Sequence, residues 1–501
     1  MVRAALKKTG VQWRRVLEPT CGDGTFLIGF GDDPSTAELW GVELQTSYVK
    51  TARERVASRG LEERTTILNR SLFDLDLSDL VWKQQGRLLV VGNPPWVTNS
   101  ELGSLRSTNL PKKSNLKLLT GLEAITGSAN FDLTEFVWIK VIEELRPLEP
   151  VVAFLCKTQV ARNVLEYVEN KNIGVTRAML WRIDARKWFG ASVDACLCML
   201  DMKTDGGSLE FVEVFDSLDS ASASNRLSFL SGELLNGHPS EVDVAQFLGP
   251  CEFEWRQGVK HDCAKVMELS HRSGQLINGH GEVVDVEPEF VFPLQKGTDL
   301  YHGRLPSESM RFVIVPQRVL GEDTGTLVVR APHLWDYLQR HADALDQRKS
   351  AIYRTQPRFA VFGIGPYSFA PYKVAISGLH KEPRFRLLGP AKGRPVMVDD
   401  TCYLLSTDTA ELAALLTAVL ESSTSVAVLR ALLFTDSKRP VKKRVLRRLN
   451  LRALLGACDR DSIIKRADEL LSEVELRQDD LEWPSQLDHL FPQLPLFEPV
   501  A

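Results

Sequence analysis

The sequence predicts an α/β protein, with a nucleotide-type, largely parallel sheet in its first part and an α+β unit after it. Three observations lead there. Short β-branched runs alternate with helical segments over about the first two hundred residues, a pattern that implies a parallel sheet with both faces covered. A glycine loop, Gly22-Asp23-Gly24, closes the first of those runs. After a Ser-, Gly- and Asp-rich stretch from Thr204 to Asn236, short β-rich segments punctuated by glycine run from about 245 to 435. The expected organisation is a ligand-binding unit over 1–203, a connection over 204–240, and a second unit over 241–501 with a helical C-terminal part.

The elements follow in order. Arg15–Pro19, Leu39–Glu43, Thr65–Leu68, Arg87–Val91, Val151–Leu155 and Ala195–Leu200 read as buried strands. Between them, Tyr48–Val56, Leu133–Leu145 and Val160–Val168 carry apolar residues at helical spacing. Further on, Ala410–Leu433 and Ser462–Glu475 read as helices. Ligands of such sheets bind at the carboxyl ends of the strands, where the strand order reverses.

Bulk properties narrow the class. Hydrophobic content of 44% and charged content of 25% over 501 residues are ordinary for a globular protein of two or three domains. No leader-like apolar segment opens the chain and no apolar run reaches the ~18 residues of a membrane span, so a cytoplasmic protein without a membrane partner is expected. Eight cysteines are scattered without a CxxC pair. They read as buried thiols, with no disulfide and no metal expected. The net charge of −4 argues against a uniformly basic coat. A dense basic stretch, Lys438 to Arg452 with Lys442, Lys443 and Arg444 at its centre, reads either as a solvated helix face or as a phosphate-contacting element.

Three signals mark a ligand pocket. In Glu18-Pro19-Thr20-Cys21-Gly22-Asp23-Gly24, the glycines allow a tight turn and close approach of backbone to ligand. Leu27 stands where a dinucleotide fingerprint would have its third glycine, which disfavours a dinucleotide. Glu43, about twenty residues on, suits a ribose diol, or else is an exposed carboxylate. Asp74, in Ser71-Leu72-Phe73-Asp74, can accept from an adenine amino group, or else lies on a surface loop.

The most telling motif is Asn93-Pro94-Pro95-Trp96, after the fourth strand. Two prolines stiffen the backbone and remove two donors, leaving carbonyls free to accept, and the Asn93 side-chain oxygen adds another acceptor. Two acceptors hold both hydrogens of an amine and aim its lone pair at an electrophile, while Trp96 offers a face for stacking.

In this order the motifs resemble the gamma class of DNA adenine-N6 methyltransferases, the TaqI-type enzymes. The resemblance implies a Rossmann-like S-adenosylmethionine-binding domain followed by an α+β target-recognition domain. It assigns Glu18, Thr20, Cys21, Gly22 and Gly24 to the methionine end of S-adenosylmethionine, Glu43 to its ribose and Asp74 to its adenine. Asn93, Pro94, Pro95 and Trp96 hold a flipped-out adenine. Asn130-Phe131-Asp132-Leu133 is similar to the family's next motif, with Phe131 lining the cofactor pocket, and Phe189 is expected to stack on the flipped base. Residues Thr98 to Asn130, with Arg106, Lys112, Lys113 and Lys117, read either as a mobile loop closing over cofactor or DNA or as simple disorder. Upstream of the glycine loop, Met1–Leu6 matches only the end of a further cofactor segment of the family.

The second unit then reads as the DNA-gripping half. Lys260, Tyr367, Tyr372, Lys373, His380, Lys381, Lys442, Lys443 and Arg444 are the candidate contacts, because interleaved aromatics and cations suit bases and phosphates. The alternative for Arg358–Lys373 is a strand hairpin whose aromatics are core. Double-stranded DNA is the expected partner, in a restriction-modification or phage-defence setting with a restriction nuclease or another defence subunit. Rival readings are cytosine-N4, RNA or protein-glutamine methylation, and a DNA-binding specificity subunit with impaired catalysis.

Overall fold

The structure is a computed structural model that describes residues 1–97, 132–191, 193–204, 207, 209–230, 232–237, 243–304, 311–434, 439–476 and 483. The chain divides into two compact units, Met1–His238 and Pro239–Ala501.

The first unit is built on a ten-stranded sheet. Its strands are β1 (Arg15–Glu18), β2 (Glu38–Glu43), β3 (Thr65–Asn69), β4 (Leu88–Gly92), β5 (Val151–Lys157), β6 (Val175–Ile183), β7 (Ala195–Met202), β8 (Phe211–Phe215), β9 (Asn225–Leu230) and β10 (Glu233–Asn236). They lie in the order β3-β2-β1-β4-β5-β7-β6-β8-β9-β10. The pairs among β1 to β5 are parallel, and β7 runs antiparallel to both β5 and β6. The central strands β4, β5 and β7 are apolar almost throughout, as strands covered on both faces must be. The covering helices are α1 (Val2–Lys8), α2 (Thr25–Gly31), α3 (Thr46–Ala57), α4 (Leu133–Leu145) and α5 (Thr158–Asn170), with a short α6 (Ala185–Phe189) after β6. Helix α4 starts where the Asp132 side chain accepts from Thr134 N–H, the capping that frees a helix from orphan donors.

The six expected strands are all present. Two expectations about the rest change. Strand β6 escaped notice because Thr176, Arg177 and Arg182 break its apolar run. The segment 204–240, expected as a connection, instead carries β8, β9 and β10, which extend the same sheet. Its serines and glycines mark the turns between those strands.

Among its described residues the second unit holds two sheets. One has five strands in the order β13-β12-β15-β14-β18, and the other has four in the order β11-β19-β16-β17. These are β11 (Arg256–Gln257), β12 (Glu268–Arg272), β13 (Gln275–Asn278), β14 (Val291–Gln295), β15 (Arg311–Ile314), β16 (Tyr372–Ser377), β17 (Phe385–Leu388), β18 (Met397–Val398) and β19 (Cys402–Thr407). The predicted helix 410–433 is two helices, Ala410–Glu421 and Ser423–Leu432, broken where Ser422 caps the second. The predicted helix 462–475 is Arg460–Glu473. The basic stretch is no continuous helix. One turn, Lys443–Leu446, is followed by a separate helix, Leu451–Gly456, whose N-terminus Asn450 caps.

Candidate functional site

Strand order reverses between β1 and β4, since the chain leaves β1 to build β2 and β3 on one side and β4 onward on the other. The glycine loop follows β1 and Asn93-Pro94-Pro95-Trp96 follows β4, so both motifs end at the switch point. A cavity of about 650 Å³ opens there, walled by the ends of β1 to β4 and the first turns of α4.

The glycine loop forms as its composition requires. Gly22 and Gly24 take φ values of 50° and 78°, the left-handed region glycine enters without a Cβ penalty. Gly24 also lies against Ala52, with room for little beyond a hydrogen. Glu43 ties the loop to β2. One carboxylate oxygen accepts from Gly22 N–H at 3.0 Å and the other from Gln45 N–H at 2.8 Å, which leaves a lone pair on each oxygen for a ligand. Thr20 contributes a wall and a buried hydroxyl oxygen that has no partner among the described residues. A buried polar atom of this kind is a place for a ligand's hydrogen bond.

Other loop residues stand behind the wall. Glu18 is fully buried, its carboxylate accepting from Leu27 N–H at 3.1 Å. Burial first, and then the neighbouring Asp23 and Glu43, push it well above the usual carboxylate range. The Cys21 thiol is buried in the core and is likewise pushed up by burial. Neither is a lining residue, nor is Gly24; all three shape the turn from beneath. Asp74 is exposed and also outside the lining, while its neighbours Arg70, Ser71, Leu72 and Phe73 line the cavity. Sequence reasoning placed the acid there and missed Arg70, whose only mark was its position just after β3. Phe131 and the stretch Thr98–Asn130 lie outside the described residues.

The target loop is held on one side. Thr134 Oγ1 donates to the Pro95 carbonyl at 2.9 Å, and Leu133 N–H donates to the Val97 carbonyl at 3.0 Å. Trp96 Nε1 donates to the Leu155 carbonyl at 3.2 Å. Among the described residues nothing donates to Asn93 Oδ1 or to the Pro94 carbonyl. Phe189, on α6, meets Trp96 edge-on, with ring centroids 5.2 Å apart and planes at 69°. The two rings make a corner in which a planar group can lie flat on one and touch the other by its edge. Phe189 is 44% exposed and its neighbour Trp188 is 51% exposed, so the corner is open.

The candidate contacts in the second unit separate into surface and interior. Lys381 and Arg444 are exposed. His380 stacks flat on Tyr301, centroids 3.9 Å apart, and its Nδ1 lies 2.8 Å from Ser377 Oγ. Lys260 pairs with Asp262 at 3.4 Å, Tyr367 lies under the Arg256 guanidinium, and Tyr372 is half-buried. Lys442 and Lys443 are half-buried too. Lys373 does not fit a surface contact. It is 1% exposed on β16, with Nζ donating to the Ala370 carbonyl at 2.6 Å. The strand is buried on both faces, with Val374, Ala375 and Ile376 also buried, so Lys373 lies in the interior. Phe359 is fully buried as well, so part of the aromatic stretch is core. No group of three His, Cys, Asp or Glu suited to a metal occurs among the described residues.

The chain is 36% identical over 453 residues to the type II methyltransferase M.NspV of Nostoc sp. (strain ATCC 29411 / PCC 7524), covering 90% of this chain and 93% of that protein. It is 31% identical over 131 residues to the type II methyltransferase M.BanIII of Aneurinibacillus aneurinilyticus, 22% of each chain. In fold it is similar to the type IIL restriction-modification enzyme MmeI, solved in complex with DNA. That likeness has a TM-score of 0.53 at 12% identity, over 98% of this chain and 74% of that one. No protein-family model matches.

Proposed function

The chain belongs to the type II methyltransferase family, and from that premise we propose that it methylates N6 of an adenine flipped out of duplex DNA. S-adenosylmethionine is the cofactor. The residues of the cavity fit it: the unpartnered Thr20 hydroxyl, the close-approach turn at Gly22 and the Glu43 carboxylate at the end of β2. In this reading Thr20 and Gly22 hold its methionine end and Glu43 its ribose. When bound, it supplies a sulfonium methyl group as the electrophile.

One observation carries the reading. Asn93 lines the cavity and Pro94 follows it in the loop; neither Asn93 Oδ1 nor the Pro94 carbonyl has a donor among the described residues, while the next three residues are tethered. An exocyclic amine has two N–H groups, and these two acceptors take both. Held so, the nitrogen lone pair leaves conjugation with the ring and points along the line of displacement. With the cofactor bound, the amine nitrogen would take its methyl group, and the proton released from nitrogen would pass to solvent. Placement supplies much of the rate in such a transfer. Asn93 and Pro94 therefore orient the nucleophile, and the Trp96–Phe189 corner fixes the ring plane. DNA as substrate takes support from MmeI, whose fold the chain shares and which was solved with DNA bound. Adenine N6 lies inside the base stack, and an enzyme that acts on it extrudes the base at a cost of roughly a few kcal/mol. The second unit, with His380, Lys381 and Arg444 at its surface, is the proposed target-recognition domain.

Methylation-aware sequencing of DNA from cells expressing the chain tests the proposal. The expected result is N6-methyladenine at one recurrent sequence, reduced by roughly a hundredfold or more in Asn93→Ala, on the scale of losing one transition-state hydrogen-bonding group. N4-methylcytosine at a recurrent site would replace adenine as the target. No modified base in any context would sink the proposal.

A further inference from the structure

We infer that Thr134 is a positioning residue, a latch that aims the Pro94 carbonyl at the target amine by holding the carbonyl next to it. The inference rests on the reading of Asn93 and Pro94 as the amine's acceptors.

The first observation is the pattern of tethers. Pro95, Trp96 and Val97 are each tied to a rigid element. Thr134 Oγ1 holds the Pro95 carbonyl, the Leu155 carbonyl on β5 holds the Trp96 indole, and Leu133 N–H holds the Val97 carbonyl. Asn93 and Pro94 have no such tie among the described residues. The loop is thus anchored immediately after the two groups the chemistry uses.

The second observation is mechanical. The Pro95 ring fixes its own φ near −65°, and the peptide between Pro94 and Pro95 is planar. Once the Pro95 carbonyl is held, the Pro94 carbonyl cannot swing unless the ψ of Pro95 turns. Thr134 grips that one torsion from its carbonyl end. The hydroxyl also takes one lone pair of the Pro95 carbonyl, the acceptor next along the chain from Pro94.

The third observation is that the latch itself is fixed. Thr134 is fully buried. Its N–H donates to Asp132 Oδ1 at 3.0 Å, and Lys157 Nζ, at the end of β5, pairs with Asp132 Oδ2 at 2.8 Å. A line therefore runs from Lys157 on the sheet through Asp132 and Thr134 to Pro95. None of these three side chains touches the reacting atoms; they act through the loop.

The test is steady-state kinetics on a duplex carrying the methylated sequence, with cofactor affinity measured in parallel by calorimetry. Thr134→Val keeps the shape and removes the hydroxyl. We expect kcat to fall by roughly ten- to a hundredfold, the scale of a misplacement near 1 Å, with the KM for DNA and the cofactor Kd within about twofold of wild type. Thr134→Ser should restore most of kcat. Replacing the target adenine by purine, which lacks the amine, should cost the valine variant less binding than it costs wild type. Wild-type kcat in Thr134→Val overturns the inference, as does a serine variant no better than valine. Should Thr134→Val not accumulate as folded protein, Lys157→Met releases Asp132 one bond back, and the same kcat-only loss is expected. An unchanged kcat there also overturns the latch. Asn93→Ala, run alongside, separates the two levels: activity retained in that variant refutes the acceptor reading itself.

Discussion

Lys373 offers the sharpest test of how the second unit is built. In the sequence it stands among aromatics and cations as a phosphate contact, yet in the structure it is 1% exposed and bonds only to the Ala370 carbonyl among the described residues. Burial alone lowers its ammonium from the ordinary 10.5 to about 7. Between about pH 7 and 10.5 the unfolded chain therefore holds a proton that the folded chain does not, and stability rises with pH across that window. At pH 7 the penalty is at most roughly 4 kcal/mol, taking 1.36 kcal/mol for each tenfold change in proton affinity. Lys373→Met removes it while keeping a linear side chain of similar volume. The Ala370 carbonyl then loses its donor, which costs about 1–2 kcal/mol. The variant should be more stable than wild type by roughly 2–3 kcal/mol at pH 7, and equal or less stable near pH 10.5, where the lysine is neutral in the folded chain and about half neutral in the unfolded one.

Urea unfolding at several pH values reads this directly. A stability difference that is constant with pH, or that favours wild type at pH 7, refutes the account of a buried lysine. DNA affinity measured against salt gives a second, independent reading. Each phosphate contact contributes about 0.9 to the slope of log affinity on log salt. Lys373→Met should leave that slope unchanged, and a fall of about that size would restore the residue to the surface.

Two further predictions concern the first unit. Glu43→Gln should weaken S-adenosylmethionine binding by calorimetry by roughly tenfold, because it breaks the carboxylate that spans Gly22, Gln45 and the cavity. Asp74→Ala should change it by less than about twofold, since Asp74 is exposed and off the lining; the reverse order would return the adenine contact to Asp74. Glu135, in the first turn of α4, is raised to about 7, chiefly by burial and then by Asp132 and Glu166, although Asn163 donates to it. An acid raised on folding contributes stability at low pH that is lost as pH rises from about 4.5 through 7. Glu135→Gln should therefore stabilise the protein by roughly 2–3 kcal/mol at pH 8 and hardly at all at pH 4.5, read as midpoints of denaturant unfolding.

The sequence showed some features plainly and hid others, for physical reasons. The six strands of the first unit were legible because a strand covered on both faces excludes polar residues, and β4, β5 and β7 do so almost completely. Strand β6 was hidden by Arg177 and Arg182, which pair with Glu213 and Asp216, partners far away in sequence. Strands β8 to β10 were hidden by their turns, whose serines and glycines look like a linker when the pairing is unknown. The glycine loop and the Asn-Pro-Pro-Trp loop were legible because their chemistry is local: glycine where φ must be positive, proline where a donor must be absent. Their supports were not. Nothing about an isolated threonine after Asp132 announces that its hydroxyl will meet Pro95, thirty-nine positions earlier.

The same distinction explains why Lys373 is misleading in the second unit. A cation among aromatics is a fair sign of nucleic-acid contact only if both reach the surface, and strand periodicity decides that. Lys373 follows Tyr372 and precedes four buried residues in β16, a strand flanked on both sides by β17 and β19. A central strand has no solvent face to spare when helices and loops cover it, so its alternation no longer sorts polar from apolar. His380 and Lys381 lie just past that strand, where the chain turns outward: His380 stacks on Tyr301, and the Arg384 guanidinium lies 4.4 Å from the centre of that same tyrosine ring. That stack restricts the rotamers of three exposed or half-exposed side chains before any partner arrives, and the entropy so removed is not lost again on binding. Contacts with the proposed DNA partner are therefore better sought in this pre-stacked turn than in the richer run of aromatics and cations that precedes it.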